Sequence, residues 1–196
     1  MGLYLKNQIR GARFENKTFS KIKRLLNTNV YTNIGIKTSI STHEIDGVFV
    51  NEHGIFCVEC KSSINCLYTE GGLFDKSWSC INSMRHGVNM FLNPVNQNYG
   101  HIKQLNKLFP NTPIYNIVIT EYDAHVFYNN QLYDSPINLI KEKGIYITND
   151  IPSLINTIFQ MPNVLDNSQI QPIQEKLKSL EMHGLNFVKF KLSFLL

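Results

Sequence analysis

The chain has 196 residues, of which 43% are hydrophobic and 17% are charged, and its formal net charge is +4. This composition is ordinary for a globular protein, and the length is enough for one domain with a substantial core. No stretch approaches the roughly 20 continuous apolar residues of a membrane-spanning helix, and the amino terminus lacks a signal-peptide core. We therefore expect a single cytoplasmic domain over residues 1–196 that makes no membrane contact.

Residues 7–26 are predicted to form the first helix, because apolar residues recur every three or four positions along one stripe. Glu15 lies on this inward stripe, in a helix otherwise rich in lysine and arginine. An acid placed there indicates a role inside the molecule. The alternative is that Glu15 lies at the edge of the stripe and pairs with Arg10 or Arg13.

Positive charge is concentrated at the start of the chain. Residues 1–37 contain eight lysines and arginines, among them Arg10, Arg13 and Lys17, against the single acid Glu15. Such a segment attracts a phosphodiester backbone to a neighbouring site. A solvated helix face that keeps the protein in solution explains the same pattern, and the sequence leaves both interpretations open.

A strand over residues 30–41 is predicted next, and a β-hairpin follows it. The hairpin consists of two apolar runs, 44–50 and 54–61, on either side of the turn-forming residues 51–54. Runs of this length around such a turn are typical of two adjacent antiparallel strands.

The hairpin register brings charged residues together at its open end. Pairing about the centre of the turn sets Asp46 opposite Glu59 and Glu44 opposite Lys61, and opposed carboxylates repel unless a cation lies between them. Both faces are otherwise apolar, which is typical of strands covered on both sides. Burying such charges is costly unless they are paired or bind a metal, so solvated charges at a strand end are the less favoured alternative.

Alternation along the two strands divides their apolar residues between two faces. The first face carries Ile45, Gly47, Phe49, Phe56, Val58 and Cys60, and the second carries Val48, Val50, Ile55 and Cys57 with the charged residues. Two close carboxylates with backbone carbonyls and waters suit a hard cation such as Mg²⁺ or Mn²⁺. Lys61 points the same way as Glu59 and is placed to hold a water or to stabilise negative charge on a phosphate.

Four cysteines lie in the first half of the chain, and two of them have the spacing C-x-x-C. This spacing is typical of redox pairs and zinc sites. On a strand, however, Cys57 and Cys60 point to opposite faces and cannot share a ligand. We expect both thiols to be reduced and buried.

The remaining elements alternate between strands and helices. Short strand-like runs occur within residues 62–80, and Asn93 and Pro94 begin a helix over residues 94–109. The later predictions are strands at 114–120, 124–128 and 145–148, helices at 151–161 and 172–183, and an edge strand at 187–194. This order predicts an α/β fold with a mixed central β-sheet flanked by helices.

Several motifs together resemble a known family. They are the run from Gly11 to Glu15, the hairpin strands with Asp46 and Glu59-Cys60-Lys61, Trp78, and Asn93-Pro94-Val95-Asn96-Gln97 leading into His101. Their order resembles the PD-(D/E)XK nucleases and, more narrowly, the NERD (nuclease-related) domains of bacterial and plasmid proteins. The likeness covers residues 8–122, and residues 123–196 are a C-terminal elaboration. Ile45 stands where the superfamily name has proline.

The resemblance implies a restriction-endonuclease-like core and a role for particular residues. Asp46, Glu59 and the backbone carbonyl of Cys60 would hold Mg²⁺ or Mn²⁺, and Glu15 would reach the metal directly or through a water. Lys61 would orient the attacking water and stabilise the phosphate that is attacked.

The implied activity is metal-dependent hydrolysis of DNA phosphodiester bonds, in bacterial DNA processing or in plasmid and phage conflict. Gln97 would meet the site from the second helix. The residues expected to contact nucleic acid are Arg10, Arg13, Lys17, His43 and His101. DNA is the expected partner, RNA is not excluded, and the C-terminal strand offers a route to a homodimer. The alternative is a non-cleaving nucleic-acid-binding module or interaction scaffold that retains the nuclease fold.

Overall fold

The computed structural model describes residues 3–38, 42–62, 72–82, 87–139 and 143–182. Its helices are α1 (Leu3–Leu26), α2 (Pro94–Leu108), α3 (Ile151–Phe159) and α4 (Asn167–Leu180). Its strands are β1 (Val30–Lys37), β2 (Thr42–Asn51), β3 (Gly54–Lys61), β4 (Ser77–Asn82), β5 (Gly87–Leu92), β6 (Ile114–Thr120), β7 (His125–Tyr128), β8 (Gln131–Asp134), β9 (Ile137–Leu139) and β10 (Ile145–Thr148). The predicted edge strand at 187–194 lies outside the described residues, as do parts of the predicted elements at 30–41 and 62–80. No helix in these ranges combines the length and the apolar character needed to span a membrane.

Six strands form a central mixed sheet in the order β1-β2-β3-β6-β10-β9. The first three strands are antiparallel neighbours, β6 lies parallel to both β3 and β10, and β9 is antiparallel to β10. Parallel pairing of β3 with β6 requires a crossover connection, and α2 lies within it. Two ribbons, β4–β5 and β7–β8, complete the described strands. This architecture confirms the predicted α/β class and is consistent with a restriction-endonuclease-like core.

The helices cover both faces of the central sheet. On one face, Phe19 and Ile22 of α1 and Leu154 of α3 pack in a cluster with residues of β2, β3 and β6. On the other face, residues of α2 and α4 pack against β1, β2 and β3. A third cluster contains Trp78 of β4, which is 1% exposed, together with residues of β6 and β10. The central strands are therefore buried on both sides, as their apolar runs predicted.

Helix α1 approaches the hairpin closely at Gly47. A Cβ atom at this position would lie 2.4 Å from Cε1 of Phe19, well inside van der Waals contact. Glycine therefore leaves the space that the buried Phe19 ring occupies. This contact holds α1 against β2 next to Asp46, and Glu15 lies one helical turn before Phe19.

A bend in β1 changes which face the start of β2 presents. Asn33 has a left-handed backbone conformation (φ 51°), and neither Asn33 nor Asp46 takes part in the ladder between β1 and β2. Ile45 consequently packs with Val48 in the cluster beneath α2 and α4, whereas strict alternation predicts it on the face of Phe49. The prediction for Ile45 is wrong because alternation holds only along a regular strand.

The predicted boundaries agree best where the local signals are strong. Strands β6 and β10 have the predicted bounds, and the Asn93 side chain caps the start of α2. Two helices begin earlier than predicted: α1 begins at Leu3 rather than at residue 7, and α4 begins at Asn167 rather than at Pro172. Asp166 and Gln169 form a capping box that starts α4 earlier, and Pro172 is accommodated inside it.

Candidate active site

The β2–β3 hairpin opens at the end away from its turn. Its strands pair in the predicted register as far as Gly47 and Val58, and the ladder ends there. The next predicted pair, Asp46 with Glu59, does not form. Instead, Oδ2 of Asp46 accepts a hydrogen bond from the backbone N–H of Cys60 at 2.9 Å. The Asp46 side chain therefore takes the place of a backbone contact between the strands.

Beyond this point the two strands pair with different neighbours. Glu44, predicted to lie opposite Lys61, pairs with Gly35 of β1, while Lys61 pairs with Thr120 of β6. The predicted partners are wrong here because the ladder between β2 and β3 ends at Gly47 and Val58, while each strand continues to pair along its other edge. The ladder is thus interrupted where the charged side chains lie.

Glu59 is the buried centre of a charged cluster. Its side chain is 2% exposed, and its Oε1 lies 2.6 Å from Nζ of Lys61. Nζ of Lys61 also donates a hydrogen bond to Oε1 of Gln97 in α2, at 3.0 Å. One turn further along α2, Nε2 of His101 lies 3.6 Å from Oε2 of Glu59. The structure thus brings together four residues that the sequence places on a strand and a distant helix.

These surroundings shift the pKa values of Glu59 and Asp46 in opposite directions. Burial acts against ionisation of Glu59, but His101 and Lys61 outweigh it and hold the pKa of Glu59 below its ordinary value. Burial and the charges of Glu59 and Glu15 raise the pKa of Asp46 well above its ordinary value. Lys61 keeps its proton, because Glu59 raises its pKa against the effect of burial. No described side chain forms an ion pair with Asp46.

Glu15 approaches the cluster from α1, and its charge contributes to the raised pKa of Asp46. A Cβ atom at Gly11 would lie 3.6 Å from Oγ of Ser62 and 4.0 Å from Oε1 of Glu15, so α1 crosses the end of β3 here. Arg10, which the alternative interpretation pairs with Glu15, binds a glutamate that follows β6 instead. Of the two partners in the alternative interpretation, Arg10 is therefore engaged elsewhere, and the partly buried Glu15 acts on Asp46 through its charge.

A buried amide network anchors α2 beside β3. Asn98 is fully buried, and its Nδ2 donates hydrogen bonds to the backbone oxygen of Cys57 (2.8 Å) and to Oδ1 of Asn116 (2.9 Å). The Cys57 thiol in turn donates to Oδ1 of Asn98. Because Asn98 lies between Gln97 and His101, this network fixes the part of α2 from which Gln97 contacts Lys61 and His101 faces Glu59. Sequence reasoning missed it, although an amide on the apolar face of a predicted helix is a readable signal.

Cys57 and Cys60 lie on opposite faces of β3, as their spacing predicts. Both are free and buried, and burial raises the pKa of each thiol well above its ordinary value. Protonated thiols are poor metal ligands. The C-x-x-C spacing is therefore a feature of the core.

His43 and His101, both predicted to contact nucleic acid, lie beside the cluster. Their rings meet edge to face with centroids 6.2 Å apart. His101 is 7% exposed and faces Glu59, while His43 is partly buried. Contact of either ring with nucleic acid stays a prediction.

The basic residues of α1 line a separate groove of about 670 Å³. Arg10, Arg13 and Lys17 lie on one side of this groove, and Thr120 and Glu121, at the end of β6, lie on the other. The α1 residues that were predicted to contact nucleic acid therefore lie together, but they do not lie next to Asp46 and Glu59. Sequence reasoning missed Glu121, although its position directly after a strand parallel to β3 is a usable signal.

The donor set at the open hairpin end fits a hard cation that keeps several waters. In the part of the chain that the structure describes, no three His, Cys, Asp or Glu side chains are grouped to hold a metal ion. Asp46 and Glu59 offer two carboxylates, and the backbone carbonyl of Cys60 offers a third oxygen. Oε2 of Glu59 is buried without a hydrogen bond from any described residue. Mg²⁺ is characteristically bound by one or two carboxylates together with water.

Fold and site together define a mixed α/β protein with an acid–lysine cluster, centred on the buried Glu59, at the open end of a central hairpin. A family model described as nuclease-related domain (NERD) matches residues 10–120. The match covers more than half of the chain, and the chain belongs to the NERD family. The cluster from Glu15 to His101 lies within the match, whereas α3 and α4 lie beyond it. A search of curated proteins finds no match.

Proposed function

We propose that this protein is a metal-dependent nuclease of the PD-(D/E)XK superfamily that hydrolyses phosphodiester bonds in DNA. The convergence of Asp46, Glu59 and Lys61 at the open end of a buried hairpin carries this proposal. Burial of these charges is costly, and Asp46 is the member without a described cation partner. The nuclease-related description of the family supports the same function.

The residues that would hold the metal are those at the gap in the ladder. Asp46, Glu59 and the carbonyl of Cys60 would bind Mg²⁺ or Mn²⁺, and Glu15 is placed to assist directly or through a water. When bound, the ion would neutralise negative charge on the attacked phosphate and favour deprotonation of a water.

Lys61 is the side chain that would act on the substrate. Its ammonium group has three N–H donors, of which Glu59 and Gln97 take two, and its side chain is 22% exposed. One donor therefore remains for a water or a phosphate oxygen. Gln97 and Glu59 hold this donor in one direction, and a preorganised cation stabilises the charge that develops on a phosphate.

A nucleic-acid-binding module that does not cleave is the second candidate. Oε1 of Glu59 is already engaged by Lys61 at 2.6 Å, which compensates its charge without a metal. The basic groove along α1 would serve binding in either case.

Cleavage assays separate these two functions. We expect wild-type protein to cut DNA with Mg²⁺ or Mn²⁺ and not with a chelator, in a panel of linear, circular and single-stranded DNA and RNA. Glu59→Gln should lower the rate by about 100-fold or more, the size of effect seen when one electrostatic contact at a reacting centre is removed. Glu175→Gln, an exposed change on α4, is the matched control and should leave the rate unchanged.

Two results would overturn the enzymatic proposal. Equal rates for wild-type and Glu59→Gln protein would show that the cluster does not catalyse the reaction. Wild-type protein that binds DNA but cuts none of the substrates would favour the second candidate.

A further inference from the structure

The groove beside the candidate active site has one strongly basic wall. Arg10, Arg13, Lys17 and Lys21 recur at intervals of three or four residues, so they form a stripe along α1. The stripe is about 16 Å long at the helical rise of 1.5 Å per residue. Arg10 is held by Glu121, whereas no described residue forms an ion pair with the other three. The wall therefore presents three uncompensated positive charges.

The remainder of the groove has a different chemistry. Its opposite side is polar and includes Thr120 and Asn149, and its apolar lining includes Phe14 and Ile151. Every lysine and arginine among its described lining residues lies on α1. The groove is thus asymmetric, because all of its described cations lie on α1, whereas its apolar lining comes from both α1 and α3 and the acid Glu121 lies opposite the cations.

This asymmetry fits a single strand better than a duplex. A duplex carries two phosphate backbones, whereas the groove offers one row of cations, along α1. An unpaired strand can place its phosphates along α1 and its bases against the apolar and polar lining. Single-strand-binding grooves combine a positively charged track with apolar surfaces in this way.

The groove adjoins the backbone at the end of β3, although the Lys61 side chain is not among its lining residues. Thr120 pairs with Lys61 across β3 and β6, and the N–H of Glu121 donates a hydrogen bond to the backbone oxygen of Lys61 at 3.0 Å. Both Thr120 and Glu121 line the groove. A strand held along α1 therefore reaches the end of β3 that carries the charged cluster.

We propose, on the basis of the proposed function, that this groove binds an unpaired polynucleotide strand and leads it toward the end of β3. Arg13, Lys17 and Lys21 contact its phosphates, and the lining around Phe14 contacts its bases. The preferred substrate is accordingly a single strand or a duplex with an unpaired end.

Binding in the presence of a chelator tests this proposal without any need for cleavage. The probes are one labelled oligonucleotide as single-stranded DNA, as the same sequence in RNA, and as blunt duplex DNA, measured by fluorescence anisotropy over a range of salt concentrations. The groove variant replaces three cations: Arg13→Gln, Lys17→Gln and Lys21→Gln. The matched control removes the same charge on α2 and α4: Lys103→Gln, Lys176→Gln and Lys178→Gln.

We expect wild-type protein to bind the DNA single strand at least about 10-fold more tightly than the duplex. The groove variant should lower the slope of log K against log salt by roughly 2, since each phosphate contact to a single strand contributes about 0.7. The control should keep the wild-type slope. Binding of the RNA strand with the same loss in the groove variant would also support a groove for unpaired strands.

Three results would overturn the proposal: tighter binding of the duplex, an unchanged slope in the groove variant, or an equal loss in the control. A charge-preserving variant, Arg13→Lys with Lys17→Arg and Lys21→Arg, must retain the slope, which separates lost charge from lost folding. If the groove variant loses binding but the wild-type protein cuts no substrate, the proposed nuclease function is contradicted and the groove proposal stands. If the wild-type protein cuts DNA but the groove variant binds as well as wild type, the groove proposal is contradicted and the nuclease function stands.

Discussion

Two ion pairs of nearly equal length lie side by side in this protein, in opposite surroundings. Glu59 and Lys61 are 2.6 Å apart with side chains 2% and 22% exposed, whereas Arg10 and Glu121 are 2.7 Å apart with side chains 47% and 29% exposed. The first pair is enclosed by α2, and the second borders the open groove. The distance between the charged atoms therefore says little about how much an ion pair contributes to stability, because burial decides how strongly water screens the attraction.

The surroundings also decide which other groups each pair affects. In the buried pair, Lys61 also donates a hydrogen bond to Gln97, and the charges of both residues act on the pKa of Asp46. The exposed pair holds Arg10 against the end of β6 and leaves the other cations of α1 available. Burial thus makes one pair part of a coupled site and leaves the other a local contact.

Breaking the buried pair should have the largest effect. In Lys61→Met, Glu59 stays buried without its main cation, so we expect the free energy of unfolding to fall by about 3 kcal/mol at pH 7. Urea denaturation measures this loss. The double variant Glu59→Gln with Lys61→Met removes the stranded charge and should recover part of the stability. A loss in the double variant equal to the sum of the losses in Glu59→Gln and Lys61→Met alone would show that the pair is not coupled.

Asp46→Asn should have a smaller, pH-dependent effect in metal-free protein. The pKa of Asp46 is raised in the folded state, so ionisation costs stability as the pH rises above the unfolded value near 3.8. The variant removes that cost and retains an oxygen for the Cys60 N–H. We therefore expect it to be more stable than wild type at pH 7, with the difference closing below about pH 4. Thermal or urea unfolding across this range checks the sign, which a less stable variant at pH 7 would contradict.

Added metal should make wild-type protein more stable than Asp46→Asn, which reverses their order of stability in metal-free solution. Mg²⁺ that binds the folded wild type stabilises it by about 2.7 kcal/mol at 100 times its dissociation constant. Asp46→Asn, which lacks one proposed ligand, should gain much less at the same concentration. Equal stabilisation of both proteins would remove Asp46 from the metal site.

Breaking the exposed pair should have the smallest effect. Arg10→Gln is expected to lower the free energy of unfolding by about 0.5 kcal/mol or less, and high salt should reduce the difference further. Arg24→Gln, an exposed arginine on the same helix, is the matched control. A loss as large as that of Lys61→Met would show that burial does not separate the two pairs.

Local signals account for the elements that were predicted well. The hairpin turn set the register of β2 and β3 for the residues nearest to it, and Asn93 with Pro94 marked the start of α2. Each of these features depends on residues only a few positions apart. The approximate places of Asp46, Glu59 and Lys61 followed from the same hairpin.

Predictions from local signals were wrong where an element distant in the sequence changed the pairing or the packing. Ile45 changed face where β1 is irregular at Asn33, and Glu44 did not pair with Lys61 because the ladder between β2 and β3 ends at Gly47. The short strands β5, β8 and β9 were not predicted, since their pairing partners rather than their own apolar patterns define them. Packing against other elements overrode local preference in each case.

The sequence by itself determined the chemistry that this protein can offer: two carboxylates and a lysine on one hairpin, an inward acid on α1 and a basic helix face. Residue type and short-range spacing are enough for that. Only the tertiary structure decided that His101 faces Glu59 while Gln97 contacts Lys61, that the pKa values of Asp46 and Glu59 shift in opposite directions, and that the cations of α1 line a groove next to the end of β3. Burial and distance between elements set these properties, and both arise only when helices pack on the sheet.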